Sequence, residues 1–391
     1  MKPGRAGTVA ALGTAQTLAW ASTYYLPAIL AAPMARDLGV SAPTVFAAFS
    51  VALLVSAVLG PLAGGAVDRR GGRSVLMATS LGFAAGLGCL GSAQGPLDLF
   101  LAWAVLGIAM GSGLYEAAFS TLVRLYGSSS RGSITGITLI AGFASTVGWP
   151  LTAWIEAQWG WREACLAWAA LHVFLGLPLN WCLPRAAIAL PSEAAPAAPG
   201  NADVPLQSAL LLSFVFAATW FISTAMAAHL PRLLQASGTT LAAAVAVGAL
   251  IGPAQVAARL LEFGVLGKVH PLLSARLAAA MHPAGAGLLA LAGAPAAPIF
   301  GLLHGAGNGI LTIAKGTLPL VLFGPHGYGQ RQGVLMVPAR VAQAFAPWLF
   351  GLVLDAWGSG ALLLSSAIGF AAFGALLLLS AEAREPAGGE A

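Results

Sequence analysis

Twelve runs of about twenty or more mostly apolar residues follow one another along the chain, at 9–34, 42–66, 75–94, 98–123, 133–156, 163–183, 207–235, 240–264, 272–293, 297–322, 333–355 and 360–381. One helix of that length crosses the ~30 Å hydrocarbon core of a bilayer. Lipid offers no water to a backbone amide, so each run must satisfy its own hydrogen bonds, and a helix does so. Eleven runs follow the first, so it does not read as a cleaved signal peptide. Only 8% of the 391 residues are charged, against ~25% in an ordinary soluble domain. A surface that poor in charge excludes a soluble enzyme, a disordered chain and a nucleic-acid-binding module. The expected fold class is an all-α membrane protein with twelve transmembrane helices, its main partner the lipid bilayer.

The cations set the orientation, because Lys and Arg gather in cytoplasmic loops. With the N-terminus inside, the inner loops receive Lys2, Arg5, Arg69, Arg70, Arg73, Arg124, Arg131, Arg185, Lys268, Arg276, Arg331 and Arg384. The outer loops receive only Arg36, Arg162 and Arg232. The bias predicts a multi-pass protein of the inner (plasma) membrane with both termini cytoplasmic. The net charge of +5 follows from this bias and does not indicate a polyanionic partner.

Residues 184–206 break the apolar pattern with a Pro- and Ala-rich polar stretch, the composition of a linker. They divide the chain into a six-helix bundle at 1–183, a cytoplasmic linker and a second six-helix bundle at 207–391. The halves are related. Gly60-Pro61 corresponds to Gly252-Pro253, Gly111-Ser112-Gly113 to Gly307-Asn308-Gly309, Thr121-Leu122 to Thr317-Leu318, and Pro150 to Pro347. The near-constant offset, about half the chain, predicts two pseudo-symmetric bundles with a substrate site between them near the midplane.

The hairpin after the second run reads Gly64-Gly-Ala-Val-Asp68-Arg69-Arg70-Gly71-Gly72-Arg73. Gly64 permits close helix packing, and Asp68 at a membrane boundary needs a cation or a helix N-terminus as partner. This pattern resembles the loop signature of the major facilitator superfamily, with Gly72 standing where that family usually has Arg. Trp159-Gly160-Trp161-Arg162 resembles a common outer-loop pattern of the same superfamily. The resemblance covers the whole chain and implies a secondary active transporter working by alternating access, not an enzyme. Gly142, Gly148 and Pro150 partly resemble the antiporter motif of drug exporters, but Leu151, Thr152 and Ala153 replace its closing glycines. The arginine that drug–proton antiporters carry early in the fourth span is also missing.

Charges inside the runs are expensive in lipid and are functional candidates. Arg340, Lys315 and Arg259 lie in the second half, Glu116 in the first. Arg340 is expected to hold a carboxylate, with Lys315 or Arg259 as a second cation. Arg259 has a competing local role as partner of Glu262 at i, i+3. Glu116 is the candidate proton-coupling group, or else a fixed counter-ion. Trp20, Tyr24, Tyr25 and Trp220 suit a cavity wall, and Asn308 and Gln343 are buried amides able to touch substrate. His229 and His304 are read as packing histidines. Cys89, Cys165 and Cys182 show no metal-ligand or disulfide spacing. No cofactor, metal or catalytic residue is expected, and the absence of GxxxxGK[ST] excludes an ATP-driven pump. The reading is a monomeric transporter of a small organic anion, a carboxylate, proton-coupled or by exchange. The alternative is a proton-coupled exporter of hydrophobic or cationic drugs.

Overall fold

The computed structural model describes residues 4–185 and 205–379. Most of the expected linker, the C-terminal tail, Lys2 and Arg384 lie outside the described residues. Every regular element among those described is helical. In chain order they are α1 (Arg5–Ala21), α2 (Pro27–Asp37), α3 (Ala42–Arg70), α4 (Gly72–Gly91), α5 (Pro96–Gly113), α6 (Tyr115–Tyr126), α7 (Arg131–Ala141) and α8 (Ala144–Trp159). Then follow α9 (Trp161–Leu171), α10 (Leu177–Trp181), α11 (Leu206–Ala236), α12 (Leu241–Gly264), α13 (Pro271–Ala292), α14 (Ala297–Phe323), α15 (Tyr328–Trp357) and α16 (Ala361–Leu378).

These helices assemble into twelve rods. Four rods are pairs of helices: α1–α2, α5–α6, α7–α8 and α9–α10, the last joined by a π-helical turn at His172–Gly176. Helix α3 alone, with 29 residues, is about 43 Å long at ~1.5 Å per residue. That exceeds the ~30 Å of hydrocarbon. Leu62, Leu101, Phe174, Leu291 and Leu363 are exposed, as side chains facing lipid must be. The chain has the all-helical fold of two pseudo-symmetric six-helix bundles.

The repeat is visible at atomic level. Ser41 caps α3 by accepting the Thr44 amide at 3.3 Å, and Thr240 caps α12 by accepting the Ala243 amide at 3.2 Å. On α5, a Cβ at Gly107 would stand 2.6 Å from the Ala52 carbonyl oxygen, and one at Gly111 2.9 Å from Ser56 Cα. On α14, a Cβ at Gly305 would stand 2.8 Å from the Ile251 oxygen, and one at Gly309 2.6 Å from the Gln255 oxygen. The same four-residue glycine spacing therefore seats α5 on α3 and α14 on α12.

The halves meet along α3 and α15. Gly60-Pro61 presses on Gly333, Gly64 on the Gly329 carbonyl, and Ser50 Oγ donates to the Ala344 carbonyl at 3.1 Å. The other substantial contacts between halves involve α6 and α7, packed against α12, α14 and α15. Helices α6 and α7 lie on the side where α1 begins and α16 ends, here the terminus side. Their far-side continuations make no comparable contact, so the molecule is closed on the terminus side.

Candidate functional site

The rods break where the chemistry collects. Pro27 at the first position of α2 sets the restart of the first rod. Residues 22–26 form a turn, and Tyr24 and Tyr25 sit in it. In the fourth rod, glycine-rich Gly111-Ser112-Gly113 is followed by extended Leu114 (φ −83°, ψ −164°), and α6 starts with Tyr115 and Glu116. The carbonyl freed at Gly113 accepts the buried Gln16 side-chain amide at 2.7 Å, so the break does not orphan that group. The matching glycines of α14 run through an unbroken helix.

Glu116 faces Arg340 across the boundary between halves. Nη2 of Arg340 donates to both Glu116 carboxylate oxygens, at 3.0 and 2.9 Å. Nη1 donates to Gln343 Oε1 at 3.0 Å. Gln343 Nε2 donates to the Tyr24 hydroxyl at 3.2 Å, and that hydroxyl meets Thr224 Oγ1 at 3.4 Å. One polar chain thus runs from α6 through α15 to the α1–α2 turn and α11. Arg340 is 4% exposed, and a buried guanidinium persists only when so paired. A small cavity beside the pair is lined by Ser56, Gly60, Gly111 and Met336.

Lys315 on α14 is also 4% exposed, and its Nζ has no hydrogen-bond partner. It stands 3.9 Å from the Trp220 ring centroid, a cation–π contact. Trp220 lies nearly parallel to Trp20, with centroids 6.3 Å apart and planes 5° apart. Trp20 is also packed against Tyr24 at 5.3 Å and Tyr115 at 4.9 Å. Tyr115 was not singled out from the sequence, although its place beside Glu116 at a helix restart was the available signal.

Tyr25 borders the cluster, 5.5 Å from the Tyr24 ring, and also packs on Trp149, whose Nε1 donates to the Tyr25 carbonyl at 3.1 Å. Arg259 and Asn308 fall outside it. Arg259 reaches across to α7, donating to the Thr138 carbonyl at 3.2 Å, with Gln255 at 3.4 Å. A Cβ at Gly142 would collide with that guanidinium. The expected local pair with Glu262 does not form. Glu262 instead accepts from Arg131 Nη2 at 3.0 Å, because Arg131 at the start of α7 lies across the boundary and also donates to the Val269 carbonyl at 2.7 Å. Asn308 lines a separate cavity within the second half, beside His282 and His304. The rings of those two histidines meet Nδ1 to Nδ1 at 3.0 Å, and His229 is held by the Pro347 carbonyl at 2.7 Å.

The loop residues form the terminus-side closure. Asp68 at the end of α3 accepts the Gly329 and Gln330 amides at 2.9 and 2.8 Å. These are first-turn N–H groups of α15, where a carboxylate is favoured. Gly71, at φ +81°, makes the turn out of α3. Gly72 is buried against Thr121, and any side chain there would overlap it, which explains the glycine in place of the family's Arg. Arg69 is exposed and Arg73 half-buried. On the far side, Arg162 pairs with Asp37 and stacks 4.3 Å from the Trp161 ring centroid. Thr152, where the exporter motif has glycine, is buried and accepts Trp168 Nε1 at 2.9 Å.

Residues 12–302 match the Major Facilitator Superfamily. The chain belongs to that superfamily. It is 30% identical over 358 residues to an uncharacterized 38 kDa protein in the 23S RNA operon of Thermoproteus tenax, covering 90% of each chain. It is 29% identical over 171 residues to a gallate transporter of Pseudomonas putida, covering 43% of this chain and 37% of that one. The fold is similar to that of the human organic anion transporter MFSD10, with TM-score 0.71 and 17% identity over 96% of this chain and 100% of the other. The E. coli fucose:proton symporter superposes with TM-score 0.72 at 14% identity, covering 94% of this chain and 97% of that one. The Glu116–Arg340 pair lies between the two halves of this fold.

Proposed function

We propose that this transporter carries a small organic anion, a carboxylate, by alternating access, coupled to protons or by exchange. The observation that carries the reading is the charge balance between the halves. Glu116 neutralises Arg340, while Lys315 beside them has no carboxylate and no hydrogen-bond acceptor. A buried ammonium without an acceptor is costly, and an anionic solute supplies one. Arg340 is then a held cation rather than the first ligand. Protonation of Glu116 frees the guanidinium for the solute and links proton and anion binding. The organic anion transporter among the similar folds, the partial likeness to a gallate transporter and the fucose:proton symporter support the same reading. Gln343, Tyr24 and Thr224 position the pair.

The terminus side is cytoplasmic in this reading, so Asp68, Gly64 and Arg131 close the cytoplasmic gate. The bundles 1–183 and 207–391, joined by the linker 184–206, rock as a monomer in the plasma membrane. Export of a cationic drug is less well supported, because Glu116, the acid such a cargo would need, is already paired.

The test is uptake of gallate into proteoliposomes under an imposed pH gradient. Wild type accumulates gallate when the outside is acidic. Glu116→Gln loses gradient-driven accumulation but keeps exchange. Normal transport by both Arg340→Ala and Lys315→Ala, or preference for an organic cation, refutes the reading.

A further inference from the structure

Helix α14 carries a proline in its interior, Pro319, one helical turn beyond Lys315. Proline has no N–H, and the amide it lacks is the one that would answer the carbonyl at i−4. That carbonyl belongs to Lys315. Inside a bilayer no water reaches it, so another part of the protein must supply a donor. Gln332 on α15 does so, its Nε2 donating to the Lys315 carbonyl oxygen at 3.0 Å. Tyr328, one turn earlier on α15, donates its hydroxyl to the next carbonyl, that of Gly316, at 2.7 Å. Gln332 and Tyr328 are each 1% exposed, so neither can exchange its acceptor for water.

Packing alone does not explain an amide at position 332. Its own Oε1 is buried without a partner, a cost that a Leu or Met of similar size would avoid. The bond this side chain does make is the one to Lys315. That bond bears on the solute site from two directions. Lys315 Nζ lies 3.9 Å from the Trp220 ring centroid, and α15, which carries Gln332, also carries Arg340. Holding the Lys315 backbone against α15 therefore sets the two buried cations relative to one another. The same turn of α14 meets the first half, where a Cβ at Gly316 would stand 2.7 Å from the Phe119 ring and 2.9 Å from Ile134. An unanswered carbonyl here lets the turn shift, and the ammonium with it, and small misplacements of a binding group are costly.

We propose that Gln332 is a positioning residue of the solute site: its amide stands in for the N–H that Pro319 lacks and so fixes Lys315 in register with Arg340. This rests on the reading of Lys315 as the cation that receives the organic anion, and adds what aims it. Gln332 acts through the Lys315 backbone and does not touch the solute.

The experiment restores the missing amide. Gln332→Leu, Pro319→Ala and the double variant of the full chain are compared by melting temperature in detergent and by KM and kcat for gallate uptake in proteoliposomes. Gln332→Leu should lower the melting temperature by about 4 °C or more and raise KM about tenfold, with kcat changed less. In the Pro319→Ala background the helix answers the Lys315 carbonyl itself. There the same Gln332→Leu change should cost roughly a third as much, or less, in both readouts. Gln332→Asn, polar but too short to reach, gives the same comparison if Gln332→Leu does not fold. Equal losses in the two backgrounds overturn the proposal, as does a Gln332→Leu protein with wild-type KM. No gallate uptake by wild type overturns the organic-anion reading instead, and the melting-temperature cycle then decides the link between Gln332 and Pro319 by itself.

Discussion

Asp68→Asn perturbs the terminus-side closure without touching the solute site. Asp68 accepts two amides from the first turn of α15, and α3 and α15 belong to different halves. These bonds exist only while the halves are closed on that side. Asparagine keeps one acceptor but turns its NH2 toward the second amide and removes the charge at the helix N-terminus. Losing one charge-assisted hydrogen bond is worth about 1.5–3 kcal/mol, and the helix-end charge ~0.3–1 kcal/mol. Asp68 is half-buried, so the low end applies, about 2 kcal/mol, or roughly thirtyfold in the ratio of closed to open. A resting ratio of ~10:1 would become ~1:3. Spin-label distances measure this shift after Cys89, Cys165 and Cys182 are replaced. A pair at exposed Ser128 and His326 reports the terminus side, and one at exposed Gln158 and Gln235 the far side. The first distribution should lengthen and the second shorten. Unchanged distributions in a folded Asp68→Asn protein refute the assignment of Asp68 as a closure residue.

Three other positions give measurable outcomes. Gly305→Leu drives a side chain into the Ile251 backbone and should destabilise the second bundle by ~1–3 kcal/mol or more, seen as a lowered melting temperature in detergent; an unchanged melting temperature would contradict the packing. Arg162→Ala removes a half-exposed pair with Asp37, a hydrogen bond to the Ala93 carbonyl and the stack on Trp161, and should cost about 1–3 kcal/mol, again seen as a lowered melting temperature; a wild-type value would contradict these contacts. His270, in the loop before α13, accepts the Leu272 amide through Nδ1 at 3.2 Å. Burial first, then the Arg131 and Arg276 charges, holds its imidazole below the ordinary value of 6.5. The neutral ring is the stabilising form, so its contribution is full above pH ~6.5 and is lost as pH falls through the depressed value. His270→Asn, an alternative cap, should flatten that acid limb in a melting-temperature series, and an identical acid limb would count against it.

The twelve runs, the internal repeat and the loop motif were legible in the sequence because lipid imposes length and polarity on every crossing, and because duplication leaves glycines at a fixed offset. The candidate list also reached most of the central cluster, since an ionisable or aromatic residue deep in an apolar run announces itself. What could not be read was pairing. Arg259 and Glu262 are three residues apart, yet each turns to a partner on the other half. Arg340 and Glu116, assigned separate roles from their depth, are joined over 224 residues. Asn308 shares the repeat's signature but opens onto a different cavity.

By itself, then, the sequence determined the all-helical membrane fold, its twofold construction and the set of buried ionisable groups, because burial cost and periodicity are local properties of a chain in lipid. Only the tertiary structure decided which buried cations find an acceptor. That depends on which faces of α6, α14 and α15 meet, on a helix break at Leu114 that its counterpart in α14 lacks, and on two bundles closed on one side. Arg340 and Arg259 find acceptors on helices of the other half while Lys315 Nζ finds none, and that difference can be read only once those helices stand in space.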